Sequence, residues 1–402
     1  MNQPLKQHLI DPEICIRCYT CEMTCPIEAI EHNDDNVVVD AAKCNHCMAC
    51  IPVCPTGSID EWRVVETPYT LEEQFGWEEL PEQGEVTLDP GSDEAGAGGG
   101  DGAEADPIAA LLAEAHAGAG GKARAPDSAV KPTVNLYNLG HPVEAVVQGN
   151  YRLTADDAEA DVRHVILEFD GKPFPVLEGQ SLGIIAPGTD ADGKAHLPRL
   201  YSVSSPRDGE RPGYHNVSLT VKREEGGVCS NHVCDLAKGD RVKVTGPFGS
   251  TFLLPSDPAA RLLMICTGTG AAPMRAFTMA RQRTVGARPG GMVMFFGART
   301  PETLPYFGPL GKVPEALLHR HLVFSRLPDR DKEYVQDRMR AEQELVAEML
   351  RDENTHIYIC GLKGMETGVE EAFTNIAESI GTPWGTLRDA MREDGRYHVE
   401  TY

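Results

Sequence analysis

Between about residues 133 and 256, apolar and polar positions alternate in short runs broken by turn signals, as in "VRHVILEFDG", "NVSLTVKREEGG" and "DRVKVTGPFG". A period of two marks strands with one buried face, and several such runs at close spacing predict a small antiparallel barrel. From 257 to 402 the pattern changes. Apolar runs alternate with stretches of helical period: "RLLMICTGTGAAPMRAFTMARQ" reads as strand, Gly turn and helix, and "GMVMFFGART" and "HIYICGLKGMETGVEEAFTNIAES" repeat the theme. That succession predicts an α/β doubly wound parallel sheet. Residues 1–77 form a shorter, cysteine-dense unit that ends in "DEWRVVETPYTLEEQFGWEEL".

Residues 78–132 break both periodicities. Stretches such as "GSDEAGAGGGDGAEAD" cannot bury enough apolar surface to offset ordering entropy, so a disordered acidic Gly/Ala-rich linker is expected. As a random coil it would span roughly 40 Å between its ends. Within it, "DPIAALLAEAHAG" carries helix signals: Asp106 as N-cap, Pro107 at the first helical position and Gly118 near the stop. Ile108, Leu111, Leu112 and Ala115 would share a face, for a transient helix or a docking one.

Charge sharpens this division. The first 132 residues hold 25 acidic and 7 basic side chains, so −18 of the total −24 lies there. That balance argues against nucleic acid and against an anionic membrane surface. The sequence has no apolar run near the ~20 residues of a membrane span, and "MNQPLKQHLI" does not read as a signal peptide. A cytoplasmic location is expected, where the twelve cysteines are ligands or thiols rather than disulfides.

Eight of those cysteines lie between residues 15 and 54, in "CIRCYTCEMTCP" and "CNHCMACIPVCP", both C-x2-C-x2-C-x3-C-P. Zinc sites prefer paired C-x2-4-C hooks with a wider gap, whereas three close thiolates wrap a corner of an iron–sulfur cube. Residues 10–62 resemble bacterial two-cluster ferredoxins. The resemblance implies two [4Fe-4S] clusters, one held by Cys15, Cys18, Cys21 and Cys54 and the other by Cys44, Cys47, Cys50 and Cys25.

A second resemblance rests on six separated motifs over about 265 residues. "RLYSVSS" (199–205), "VSLTVKR" and "GGVCSNHVCDL" resemble the FAD domain of ferredoxin–NADP+ reductases. "GTGAAPMR", "FSRLPDRDKEYVQ", "IYICGLKGME" and the ending "VETY" resemble the nicotinamide half, in the same order. The implied fold is multidomain: an α+β bacterial two-cluster ferredoxin unit, an antiparallel Greek-key β-barrel for FAD, and an α/β doubly wound parallel sheet for NADPH.

Site residues follow from the same resemblance. Arg199, beside Leu200, offers a planar fork to the FAD pyrophosphate, Tyr201 stacks on the isoalloxazine, and Ser202 bonds near its N5. Gly227, Val228, Cys229, Ser230 and Asn231 aim backbone N–H groups and a hydroxyl at phosphate. In "TGTGAAP", Thr267, Gly268, Gly270, Ala272 and Pro273 bring the backbone to the dinucleotide pyrophosphate. No acidic residue stands at the usual distance beyond this turn. Ser325, Arg326, Lys332 and Tyr334 suit a 2′-phosphate instead, which favours NADPH over NADH. Lys222 either touches the NADPH pyrophosphate or makes a surface ion pair. Cys360, with Gly361 after it, ends a predicted strand and would border the nicotinamide with Ser202 and Glu400; by itself it is a small buried residue. Tyr402 would lie flat on the open flavin face and swing aside for hydride transfer, or pack in an apolar groove. "EEGG" replaces a longer segment that carries an adenine-stacking aromatic in the plant-type reductases.

Hydride brings two electrons and the clusters accept one at a time, so the expected order is NADPH, FAD, clusters, protein acceptor. Fusing reductase and clusters raises their effective concentration. The lone E-x-x-H, Glu353 to His356, lacks the further ligands of a di-iron site. The whole arrangement resembles the reductase components of bacterial benzoyl-CoA 2,3-epoxidases, which implies a di-iron oxygenase subunit as acceptor. A homodimer is compatible with this reading, and neither nucleic acid nor membrane is expected as a partner. The alternatives are a general NADPH–ferredoxin oxidoreductase, a diaphorase subunit of another complex, and a non-enzymatic electron carrier.

Overall fold

The computed structural model describes residues 5–12, 15, 21–22, 25–33, 35–44, 50, 58–59, 61–65, 67–81, 124–189, 193, 195–286, 291–328 and 330–402. The chain divides into two compact units, whose described parts are 5–81 with 133–138, and 124–132 with 139–402. The helix expected within the linker lies outside the described residues, as do Cys18, Cys47 and Cys54.

In the first unit, strand β1 (Leu5–Leu9) pairs antiparallel with β4 (Glu61–Val65), joining residues on either side of the cysteine motifs. Between them, β2 (Ile30–His32) and β3 (Val37–Val39) form a hairpin whose turn is held by Asn33 Oδ1, which accepts from the N–H groups of Asp35 and Asn36. Helix α1 (Leu71–Phe75) starts in a capping box between Thr70 and Glu73. Its buried Gln74 donates to the Val39 carbonyl and accepts from the Val39 N–H, fastening the helix to the hairpin. Ile10, Ile30, Val37, Val39 and Ile59 make the small core, and Cys15, Cys21, Cys25, Cys44 and Cys50 pack into or against it.

The second unit opens with six strands: β5 (Val143–Arg152), β6 (Val162–Glu168), β7 (Ser181–Ile185), β8 (Arg199–Ser202), β9 (Val217–Lys222) and β10 (Arg241–Phe248). They hydrogen-bond antiparallel in the order β8-β7-β10-β5-β6-β9. A bridge between Val203 and Leu219 then links β8 to β9 and closes the sheet into a barrel, which removes its open edges. Val143, Ala145 and Val147 alternate inward along β5, as the period-two pattern requires. Helix α2 (Val228–Asp235) follows β9 after a tight turn.

The remainder is a five-stranded parallel sheet. In chain order come β11 (Arg261–Thr267), α3 (Ala271–Thr284), β12 (Met292–Ala298), α4 (Phe307–Gly311), β13 (His319–Phe324), α5 (Val335–Ala341), α6 (Gln343–Arg351), β14 (Thr355–Gly361), α7 (Lys363–Ser379), α8 (Trp384–Glu393) and β15 (Tyr397–Thr401). The strand order is β13-β12-β11-β14-β15, parallel throughout. Leu263, Ile265, Val293, Phe295, Ile357 and Ile359 bury one face, while Leu262, Met264, Cys266, Met294, Tyr358 and Cys360 bury the other. Strands covered on both faces explain the continuous apolar runs of the sequence.

A buried polar cluster joins barrel to sheet. The Arg275 guanidinium donates to both oxygens of Glu210 at 2.8 Å and to the Ser204 carbonyl at 2.6 Å. Glu210 in turn lies 3.1 Å from His164 Nε2, and His164 Nδ1 lies 2.9 Å from the hydroxyl of Tyr306, a left-handed residue with φ of 63°. Thr220 Oγ1 completes the chain at 2.6 Å from the same hydroxyl.

Candidate functional site

In an open parallel sheet the strand order reverses at one point, and the crevice beyond the carboxyl ends of the flanking strands binds ligands. Here that point lies between β11 and β14, where Cys266 and Cys360 stand in register. The turn after β11 runs through Gly268 and Gly270 into α3, which carries Ala272 and Pro273 in its first turn. Gly270 lies against β14 so closely that a Cβ there would stand 2.1 Å from the Cys360 carbonyl oxygen. Only glycine permits this approach.

The crevice opens into a cleft of about 770 Å³, within the size range of ligand sites. Barrel strand β8 contributes Arg199, Leu200, Tyr201 and Ser202 to it; α2 and its approach contribute Gly227, Val228, Cys229 and Ser230; the parallel sheet contributes Ala272, Cys360, Glu400 and Tyr402. Lys222 also lines it, with its ammonium 2.7 Å from the Glu224 carboxylate. Thirteen of the residues marked by the FAD-side and nicotinamide-side motifs thus line one cleft. Thr267 and Gly361 end β11 and β14, Gly268 and Gly270 form the turn between β11 and α3, and Pro273 lies in α3.

Ser325, Arg326, Lys332 and Tyr334 stand elsewhere on the same carboxyl edge, after β13 and ahead of α5. The Ser325 and Arg326 N–H groups donate to the carbonyls of Ala298 and Arg299, which fixes them to the end of β12. Tyr334 and Lys332 are exposed.

Sequence reasoning missed Thr220 and Thr269, both in the cleft wall. Thr269 Oγ1 stands 2.5 Å from the Tyr402 hydroxyl, and the Tyr402 N–H donates to the Gly361 carbonyl at 3.0 Å. These bonds seat the Tyr402 ring in the cleft. The signals were present: Thr220 alternates with Ser218 and Lys222 along β9, and Thr269 lies inside the Gly turn itself.

The electrostatics distinguish the two ends of the cleft. At one end burial pushes the Cys360 thiol well above its usual range, with the Glu400 and Cys266 side chains adding to the effect, and burial pushes Glu400 up to about 8. Both groups therefore carry their protons at neutral pH. At the other end Arg199 has no carboxylate partner among the described residues, and α2 begins with N–H groups that its own helix cannot satisfy. A Cβ at Gly227 would come 2.5 Å from Ser230 Oγ, so the backbone there stays bare. A cation, bare helix N-terminus and aromatic walls from Tyr201 and Tyr402 fit a planar ring system carrying a pyrophosphate.

In the first unit, the described cysteines are free of disulfides, and Cys25 Sγ accepts the Ala29 N–H at 3.2 Å, a bond of the kind that tunes cluster thiolates. Among the described residues no three Cys, His, Asp or Glu side chains stand close enough to hold a metal. Of the two expected ligand sets, Cys15 and Cys21 of one and Cys25, Cys44 and Cys50 of the other are described.

A closed barrel fused to a doubly wound parallel sheet, with the ligand cleft lined by both, defines a two-domain dinucleotide oxidoreductase. Residues 264–371 match the oxidoreductase NAD-binding domain family, and residues 7–64 match the 4Fe-4S dicluster domain family. The cyanelle ferredoxin–NADP reductase of Cyanophora paradoxa is 37% identical over 301 residues, covering 70% of this chain and 83% of that protein. The ferredoxin–NADP reductase of a Spirulina species is 36% identical over 288 residues, covering 67% and 98%. Among solved structures, the ferredoxin–NADP+ reductase of Plasmodium falciparum superposes with a TM-score of 0.54 at 23% identity, covering 67% of this chain and 99% of that one, a likeness of fold. The chain belongs to the ferredoxin–NADP reductase family and is an oxidoreductase that carries a 4Fe-4S domain. Among the described residues no helix is long and apolar enough to cross a membrane.

Proposed function

We propose that the protein is an NADPH-dependent reductase that passes electrons through FAD to two [4Fe-4S] clusters and on to a separate oxygenase component, that of benzoyl-CoA 2,3-epoxidation. The observation that carries the core of this reading is the single cleft in which Arg199, Tyr201 and Ser202 meet Cys360, Glu400 and Tyr402. A bound FAD would supply the conversion between hydride transfer and single-electron steps.

The chain's own residues bind, orient and shield. Arg199 and the start of α2 hold the pyrophosphate, while Tyr201 supports one ring face and Ser202 offers a hydroxyl at its edge. Tyr402, anchored by Thr269 and Gly361, covers the opposite face and yields its place to the nicotinamide. Cys360 and Glu400, both neutral, give that ring a site without a competing anion. Ser325, Arg326, Lys332 and Tyr334 take the 2′-phosphate. The eight motif cysteines hold the clusters in the sets given above.

The benzoyl-CoA assignment rests on the order of modules, two four-iron motifs, an acidic linker and this reductase. Anaerobic NADPH should bleach both flavin and clusters in fresh protein, and NADPH oxidation should couple to benzoyl-CoA turnover only when the di-iron oxygenase is added. Equal coupling to unrelated ferredoxins would instead favour a general NADPH–ferredoxin oxidoreductase, a second reading that the names of the relatives support.

A further inference from the structure

The loop between β5 and β6 is tied at several points. The Leu153 N–H donates to the Val162 carbonyl, the Thr154 hydroxyl to the Ala160 carbonyl at 2.6 Å, and the Ala158 N–H to the Ala155 carbonyl. One bond, from the Ala155 N–H to the Glu302 carbonyl at 3.0 Å, crosses from the barrel to the parallel-sheet half. So held, the loop delivers one carboxylate to the nucleotide edge. Glu159 Oε2 stands 2.5 Å from Arg299 Nη1 and 3.9 Å from Arg326 Nη1. Arg299 and Arg326 are themselves joined by a backbone hydrogen bond of 2.8 Å across neighbouring strand ends. These cations hold the Glu159 carboxyl below its ordinary range, Arg299 chiefly, with Arg326 and Lys222 adding to it.

We propose that Glu159 is an internal competitor of the nucleotide's 2′-phosphate: it occupies the Arg299–Arg326 cation pair, and a 2′-phosphorylated nucleotide must displace it, with Arg299 a further phosphate ligand. The proposal rests on the reading of Ser325 and Arg326 as the 2′-phosphate site. A phosphate dianion brings more charge and more acceptor oxygens to an arginine pair than one carboxylate does. The Glu159 and Arg299 side chains are 69% and 50% exposed, and exposed ion pairs are weak enough to be exchanged. The carboxylate therefore occupies the arginines without closing the site, and it speeds release of the bound nucleotide by retaking them.

The test is calorimetric titration of the full chain with 2′,5′-ADP and with 5′-AMP, which lacks the 2′-phosphate. Glu159→Gln should bind 2′,5′-ADP about two- to tenfold more tightly than wild type, the range expected on removing weak competing pairs, with 5′-AMP unchanged. In an Arg299→Gln background the same change should give no gain. Weaker or unaltered binding of 2′,5′-ADP by Glu159→Gln would overturn the proposal, because Glu159 would then orient the arginines or do nothing. An equal gain for 5′-AMP would overturn it too. Wild type showing no preference for 2′,5′-ADP over 5′-AMP would instead sink the 2′-phosphate reading itself.

Discussion

Replacing Gly270 by alanine isolates one contact in the site. The residue has an ordinary helical φ of −59°, so alanine meets no backbone strain, and an isolated helix would be strengthened by it. The obstacle is the Cys360 carbonyl oxygen, 2.1 Å from the position the new Cβ would take, with the Cys360 carbonyl carbon at 2.5 Å. Ordinary contact needs the end of β14 to withdraw from the Gly turn by at least about 1 Å, in an interior packed too densely to absorb it. Overpacking of this kind costs about 1–3 kcal/mol, or roughly 2–10 °C in Tm for a unit of this size. The displaced strand end carries Cys360 and, through its pairing with β15, Glu400, so the geometry at the nicotinamide position shifts with it. A misplacement near 1 Å can cost about a hundredfold in rate. Thermal unfolding and NADPH–ferricyanide turnover of Gly270→Ala should both fall, while Gly385→Ala, whose Cβ would meet nothing within 4 Å on α8, should keep or slightly raise Tm. A Gly270→Ala protein with wild-type Tm and rate would refute the reasoning, since the turn would then be free to move.

Further expectations concern titration and the aromatic cover. His398 and His356 are buried and stacked, and burial depresses them to about 3 and about 4. The native state therefore binds fewer protons than the unfolded chain as pH falls from about 6.5, and stability drops through that window by up to about 3 kcal/mol for His356 and about 5 kcal/mol for His398. The urea midpoint should decline on acidification and His356→Gln should lessen the slope; a flat midpoint would contradict the burial of uncharged imidazoles. Glu400, raised to about 8, loses its proton as pH passes that value, so the hydride-transfer rate should show a transition near there. In Glu400→Gln the transition should vanish, and its persistence would assign it to another group. Tyr402→Ser removes both the ring and its bond to Thr269, and NADP+ should bind up to about tenfold more tightly; unchanged affinity would place the ring outside the nicotinamide's path.

The strands were legible wherever burial imposed a period: β6, β9 and β10 lie where the alternating runs placed them, and β11, β12 and β14 where the continuous apolar runs did. The site was legible where chemistry is compressed into short motifs, as in "RLYS" and the Gly turn. What stayed hidden depends on distant parts of the chain meeting. Nothing in the local pattern links His164, Glu210, Arg275 and Tyr306, which converge from a barrel strand, two loops and α3. Nor does "TADDAEA" read as more than a solvated loop until the fold sets Glu159 beside Arg299 and Arg326. The barrel was legible in the alternating runs, but the bridge from Val203 to Leu219 that closes it, beyond the end of β8, was not.

The central claim is that electrons from NADPH cross the cleft and reach the N-terminal clusters of the same molecule. Anaerobic titration of freshly prepared protein with NADPH, following the flavin absorbance and the electron paramagnetic resonance of the reduced clusters together, addresses it directly. Loss of the yellow band accompanied by cluster signals, at a rate independent of protein concentration, is the predicted result. A flavin that bleaches while the clusters stay oxidised, or that is absent from protein with intact clusters, would contradict the account.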